Sequence, residues 1–191
     1  LNSGKTLDCD VLVFGIGVYP NINLAQSLGL CVLDGVRVDK TYLASEDIYV
    51  IGDLAFSEKR SKTRIESVHH AQFSAAVAAA SITGSALPEQ EPFWFWSNQH
   101  DVKLQIAGIL PQTSESQQIH NEVRLVKKEG CFSVWSWYRN KLVCIEAIED
   151  PQSFIVGKRL LERNIYVPPD MIADERVPLK QLFEKLVANA S

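Results

Sequence analysis

Two glycine turns and one helix start hold the residues with most chemistry to offer. Gly52-Asp53 closes the apolar run Ile48-Tyr49-Val50-Ile51, and open α/β sheets bind ligands at the carboxyl ends of their strands. An aspartate there can accept hydrogen bonds from sugar or sugar-alcohol hydroxyls. It can equally cap the turn in which it sits. Gly15-Ile16-Gly17 ends a second apolar run, and Asp39 follows it by about 20 residues, which imitates a dinucleotide fingerprint. Pro20 stands where the third glycine belongs, and Pro20-Asn21 blocks direct passage into a helix whose N-terminus would hold a pyrophosphate. A glycine turn that lets a flat ligand approach the backbone is the better functional reading.

Arg64-Ile65-Glu66-Ser67-Val68 precedes an alanine-rich run. A helix starting there presents unpaired N–H groups and a partial positive charge, worth roughly 0.3–2 kcal/mol to a nearby anion. A redox ring that becomes anionic on reduction would be stabilised. The local sequence by itself favours a plainer account, with Arg64 and Glu66 solvated. His69 and His70 are adjacent on that helix and point in different directions, so they do not share a metal easily. Cys9, Cys31, Cys131 and Cys144 show no C-x-x-C pair and no metal spacing with the four histidines, which suits buried, reduced thiols in a cytoplasmic protein. No catalytic nucleophile, base dyad or metal cluster emerges.

The chain has 191 residues, with 19 basic and 23 acidic side chains and a net charge of −4, so it offers no basic field for nucleic acid. Its longest apolar runs fall far short of the ~20 residues of a membrane helix. The first residue is Leu1, which suits a processed or truncated product.

Asp10 to Gly15 and Ile48 to Asp53 read as strands covered on both faces, as in a parallel sheet. Asn23 to Leu28 suits a short helix stopped by Gly29, and Val36 to Asp39 an extended piece. After a polar loop, Ser57 to Thr63, Ser67 is the expected N-cap and Gly84 the C′ residue of a helix over Val68 to Thr83. Gly84 to Pro92 changes character and suits a boundary. Beyond it lie four strand candidates, Lys103–Ile109, Glu122–Lys127, Cys131–Tyr138 and Lys141–Ile148. Lys127-Lys128-Glu129-Gly130 and Arg139-Asn140 are their hairpin turns, so this sheet is expected to be antiparallel. Helices follow over Phe154 to Arg163 and Leu179 to Ala188. Trp135 and Trp137 share one face of their strand and suit a packed core.

Read together and in order, DVLVFGIGVYPN, IYVIGD, RIESVHHA, FWFWSNQHDVKLQIAG and the ending ADERVPLKQL resemble the flavoprotein ferredoxin reductases. These include the putidaredoxin, rubredoxin and aromatic-dioxygenase reductases, with apoptosis-inducing factor a distant relative. The resemblance covers nearly the whole chain. It implies the latter half of such a protein: the remainder of an FAD/NAD-binding α/β domain with a parallel sheet over residues 1–88, then an α+β C-terminal reductase domain with an antiparallel sheet over 89–191. The implied activity passes electrons from NADH through FAD to an iron–sulfur ferredoxin or rubredoxin. FAD and NAD(H) are then the cofactors, and a homodimer stays open.

By position, the resemblance implies that Asp53 binds the FAD ribityl chain, with Gly52 giving it room, and that Glu66, Ser67 and Val68 lie by the isoalloxazine. Gly15, Ile16 and Gly17 border the nicotinamide side, and Trp96 is supplied by the C-terminal domain close to the flavin. Phe93, Trp94 and Phe95 are expected to be core, and the polar run after Trp96 a turn. Asn98 stands where the family usually has Asp, and Leu54 where Cys often follows Gly-Asp. Two alternatives are a non-catalytic dimerisation or assembly piece holding no cofactor in isolation, and a Rossmann dehydrogenase built on Gly15, Gly17 and Asp39.

Overall fold

The computed structural model describes residues 2–57, 63–111, 118–126 and 128–190. The expected loop from Ser57 to Thr63 falls largely outside these residues, as does the Lys127 end of one hairpin turn.

In the first unit, α1 (Asn23–Ser27) ends at Gly29, which takes φ +70° as its stop role requires. Strands β1 (Val32–Leu33) and β2 (Gly35–Arg37) pair antiparallel, and β2 pairs parallel with β5 (Ala55–Phe56). Between them, β3 (Leu43–Ser45) and β4 (Ile48–Tyr49) form a small hairpin. The run Ile48 to Asp53 is therefore not one buried strand. Gly52 adopts φ +66° and turns the chain into a 3-10 turn, Gly52–Leu54, and its N–H bonds Ser74 Oγ at 2.9 Å instead of a neighbouring strand.

The expected strand from Asp10 to Gly15 also does not form. Val11, Val13, Phe14 and Ile16 are 74 to 89% exposed. Apolar character alone does not make a strand. It needs a ladder partner for its N–H and C=O groups and layers to cover it, and among the described residues neither reaches this segment.

Helix α2 (Val68–Thr83) starts and stops where expected. Ser67 Oγ accepts the His70 N–H at 3.1 Å, and Gly84 takes φ +68°. Small side chains let α2 lie against the 3-10 turn, and Val77 and Ala78 pack on Val38, Tyr42 and Ala55. His70 is locked inside, with Nε2 3.1 Å from Tyr42 Oη and Nδ1 2.7 Å from the Ile65 carbonyl.

The second unit is a five-stranded antiparallel sheet in the order β6-β7-β10-β9-β8. Its strands are β6 (Trp94–Gln99), β7 (Val102–Gly108), β8 (Ile119–Leu125), β9 (Phe132–Tyr138) and β10 (Lys141–Ile148). Four strands were expected. The fifth is the aromatic stretch itself, and Ser97 to Gln99 continue it rather than turning. On an edge strand, polar side chains at one end face water without cost, so the change in polarity does not mark a strand end.

Helices α3 (Pro151–Glu162), α4 (Pro169–Ala173) and α5 (Leu179–Ala190) cover one face. Asp150 caps α3 by accepting the Ser153 N–H at 3.0 Å, with Pro151 in the first turn. Trp135 and Trp137 sit at the centre of the core with Ile145, Leu160, Leu182 and Leu186. Each indole N–H is satisfied, at Ser133 Oγ (3.0 Å) and the Val167 carbonyl (2.8 Å). Phe93 is buried as expected, against His70 of α2, but Phe95 is 41% exposed. The four cysteines are free, yet only Cys131 and Cys144 are buried; Cys9 and Cys31 are exposed. Burial pushes the Cys144 thiol up to about 12, with Glu146 adding to the effect, which keeps it protonated and inert.

Candidate functional site

The turn at Gly52-Asp53 and the start of α2 are joined by Arg64. Its guanidinium donates to the Asp53 carbonyl (2.9 Å) and to Asp34 (3.1 Å), and pairs with the Glu66 carboxylate at 2.7 Å. The Arg64 side chain is 9% exposed, so the solvated arginine expected from local sequence is instead a clamp on three segments. Gly35, at φ +106°, leaves room for the arginine stem; a methyl there would collide with it.

Around this clamp the expected site residues fall into two groups. Gly52, Asp53, Glu66 and Ser67 are brought together. Glu66 and Ser67, with Arg64, line a cavity of about 180 Å³ whose far wall is Phe93, Phe95 and Gly108 of the second unit. Val68 is next in line and 54% exposed. Gly15, Ile16 and Gly17 lie in the exposed segment and are not part of this wall. Trp96 is half-buried on the opposite face of β6 from Phe95, where it stacks on Trp94 with ring centroids 5.4 Å apart.

Asp39 counts against the Rossmann reading. Its Oδ1 accepts from the N–H groups of Thr41 (2.7 Å) and Leu43 (3.0 Å) and from the Thr41 hydroxyl (2.7 Å), so it caps its own turn. Those bonds hold its carboxyl below the ordinary carboxylate range although burial opposes them.

The residues present suit a flavin nucleotide. The Asp53 carboxylate is exposed and makes no hydrogen bond among the described residues, so it is available to hydroxyl donors. The start of α2 leaves its first N–H groups without helical acceptors and directed at whatever lies beyond Ser67. Among the described residues no group of three or more His, Cys, Asp or Glu side chains could hold a metal, and no helix is long and apolar enough to cross a membrane.

His69 sits behind this site with its side chain 12% exposed, 3.6 Å from Glu91. Burial lowers its pKa from 6.5; Glu91 opposes the shift and Lys158 adds to it. In the interval below 6.5 the unfolded chain therefore binds a proton that the folded chain does not. Stability from neutral His69 is complete above about pH 6.5 and is lost as pH falls through the folded value. Thermal unfolding at about pH 7 and pH 5 should show a loss of stability on acidification that is smaller in His69→Phe. Equal losses would show that His69 plays no part.

Residues 1–75 match the family described as pyridine nucleotide-disulphide oxidoreductase, and residues 94–183 match the family described as reductase C-terminal. Rhodocoxin reductase of Rhodococcus erythropolis is 34% identical over 94% of this chain and 42% of its own length. Putidaredoxin reductase CamA of Pseudomonas putida is 30% identical over 98% of this chain and 44% of its own. The reductase in a crystal structure of a covalent putidaredoxin reductase–putidaredoxin complex superposes with a TM-score of 0.85 at 28% identity, covering 98% of this chain and 45% of that one. The chain thus spans less than half the length of the relatives it matches.

Fold and site define one class: part of a pyridine-nucleotide oxidoreductase domain followed by an antiparallel C-terminal reductase domain. Within that class, the longer proteins that this chain matches include ferredoxin reductases.

Proposed function

We propose that these residues are the C-terminal part of an FAD-dependent reductase that takes electrons from NAD(P)H and delivers them to an iron–sulfur ferredoxin or a rubredoxin. In this reading residues 1–88 complete the FAD/NAD-binding domain and 89–191 form the reductase domain. The observation that carries it is the exposed Asp53 carboxylate, without a hydrogen-bond partner among the described residues, on a turn whose Asp53 carbonyl Arg64 ties to the start of α2. When bound, FAD accepts a hydride and releases single electrons; the protein supplies orientation and electrostatics. Asp53 accepts hydrogen bonds from the ribityl hydroxyls, and Gly52 keeps the backbone clear of them. Glu66, Ser67 and Val68 border the ring, and the α2 N-terminus stabilises negative charge at its pyrimidine edge. By the family resemblance Gly15, Ile16 and Gly17 would border the nicotinamide, and Trp96 would be supplied near the flavin by the second domain, although it stands on the opposite face of β6 from Phe95 in the cavity wall. Four free thiols suit a cytoplasmic protein.

A polypeptide of the relatives' length should retain FAD through desalting and reduce a ferredoxin or rubredoxin with NADH. Asp53→Ala should weaken FAD binding about tenfold, the effect of losing one or two hydrogen bonds. Calorimetric titration of the apoprotein measures it. Absence of both flavin and NADH-dependent reduction would overturn the proposal.

One observation favours a second reading, a dimerisation or assembly piece: the largely exposed apolar segment Val11 to Tyr19. Such a surface needs a cover, from the rest of a longer chain or from a second copy. Sedimentation of the 191-residue chain and of the longer polypeptide separates the two. A dimer of the short chain that becomes a monomer in the long one would assign the cover to the longer chain.

A further inference from the structure

We propose that His69 is a positioning residue: stacked on Trp94 across the boundary between the two units, it fixes the Trp94–Trp96 pair and so sets the ring plane that Trp96 presents at the flavin. Only the last clause rests on the flavin reading above; the stacking stands on its own geometry.

Four rings form a continuous ladder. Phe73 lies one turn along α2 from His69, with centroids 6.4 Å apart and planes at 28°. His69 lies 5.3 Å from Trp94 at 36°, and Trp94 lies 5.4 Å from Trp96 at 31°. Residues two apart on a strand share a face and stand about 6.6 Å apart along it, so the two indoles lean together. Something must hold Trp94 in that attitude. Phe154 of α3 meets it edge-on, at 6.2 Å and 64°, and His69 lies against it in a tilted arrangement, at 5.3 Å and 36°. Among the described residues, Trp96 has one ring neighbour, Trp94. Its orientation therefore descends from His69.

His69 is itself anchored from the second unit. Glu91 faces it at 3.6 Å and is shared with Lys158 of α3 at 3.2 Å, which also pairs with Glu162 at 3.1 Å. Among the described residues Nδ1 of His69 is buried without a hydrogen-bond partner, and Nε2 stands 3.6 Å from Glu91, beyond ordinary hydrogen-bond length. A ring placed by its hydrogen bonds would not leave Nδ1 bare; a ring placed by stacking does. Phenylalanine should therefore replace this histidine in its positioning role, whereas a ringless side chain should not.

Two stacked indoles give an exciton couplet in circular dichroism, which requires no flavin. In the full chain, His69→Ala should reduce the Trp94–Trp96 contribution to the couplet at least about twofold and His69→Phe should restore it, with Trp96→Phe leaving only the signal of Trp135 and Trp137 as the baseline. If His69→Ala does not fold, His69→Gln, which keeps a polar side chain toward Glu91 but no ring, carries the same measurement. An undiminished couplet in a folded ringless variant overturns the inference. In the longer, flavin-containing polypeptide, His69→Ala should slow electron delivery to ferredoxin about tenfold while hydride uptake from NADH is unchanged, with His69→Phe near wild type. A diminished couplet with unchanged delivery overturns the functional clause. If wild type holds no flavin, the flavin reading fails, and the couplet still tests the stacking.

Discussion

Gly108→Ala is expected to destabilise the protein by on the order of 4 kcal/mol and to empty the candidate site of ligand as well. Gly108 ends β7 at φ +91°, a conformation that costs alanine about 1–2 kcal/mol before any contact is considered. The contact is worse. Between Leu142 and Cys144 the β9–β10 pairing slips by a bulge, which drives the Val143 carbonyl toward Gly108. A methyl group at 108 would strike that carbonyl carbon and oxygen and the Cys144 backbone, none of which can swing aside as a side chain could. The same carbonyl accepts the Ile109 N–H at 3.0 Å, and the Gly108 N–H bonds the Phe93 carbonyl at 2.8 Å. Relief at 108 must therefore shift Phe93, which faces Arg64, Glu66 and Ser67 across the 180 Å³ cavity. Stability to urea, and flavin retention in the longer polypeptide of the proposed function, should fall together. A variant within about 1 kcal/mol of wild type would mean that the bulge does not press on Gly108.

How far the sequence carried the reading depends on the range over which each feature is decided. Helix α2 was legible to the residue because Ser67 and Gly84 act on their own neighbours. The hairpins from Ile119 to Ile148 were legible because Arg139-Asn140 supplies two consecutive left-handed residues, at φ +50° and +63°. Strand β6 was missed because its polar end is allowed by an edge position, which only the sheet order reveals. The run at Asp10 to Gly15 failed for the opposite reason: its apolarity is genuine, but pairing partners are not local. At the candidate site, turn and cap chemistry singled out Gly52-Asp53 and Ser67 as local features, and only the family resemblance attached them to a flavin. Arg64 could not be singled out that way, because its ion pair with Asp34 spans 30 residues. Its one sequence trace was Gly35, whose missing side chain makes the space.

Arg124→Met should cost about 3 kcal/mol and release the C-terminal helices while leaving the candidate site intact. Arg124 lies on β8 and is 6% exposed, and its guanidinium serves backbone rather than an acid. It donates to the carbonyls of Ile172 (2.8 Å), Asp174 (3.0 Å) and Val177 (2.7 Å), which end α4 and lead into α5. Burial lowers its pKa against the pull of Glu175, Asp150 and Asp174, yet a guanidinium does not give up its proton in a protein. Two carbonyls at the end of α4 and one in the connection to α5 therefore find a fixed positive fork, and each loses a charge-assisted bond worth about 1.5–3 kcal/mol if the fork is removed. Water reaching the exposed part of the loop recovers some of that sum. Lysine presents one ammonium where three separated acceptors need a planar fork, so Arg124→Lys should recover only about half the loss. Leu179, Leu182 and Leu186 of α5 close the core over Trp135 and Trp137, so a loosened 172–178 loop exposes that core to protease. Limited proteolysis of Arg124→Met should begin between α4 and α5, and in the longer polypeptide of the proposed function flavin retention at low temperature should equal wild type. Cleavage elsewhere, or flavin lost in proportion to stability, would show that the two units do not respond separately.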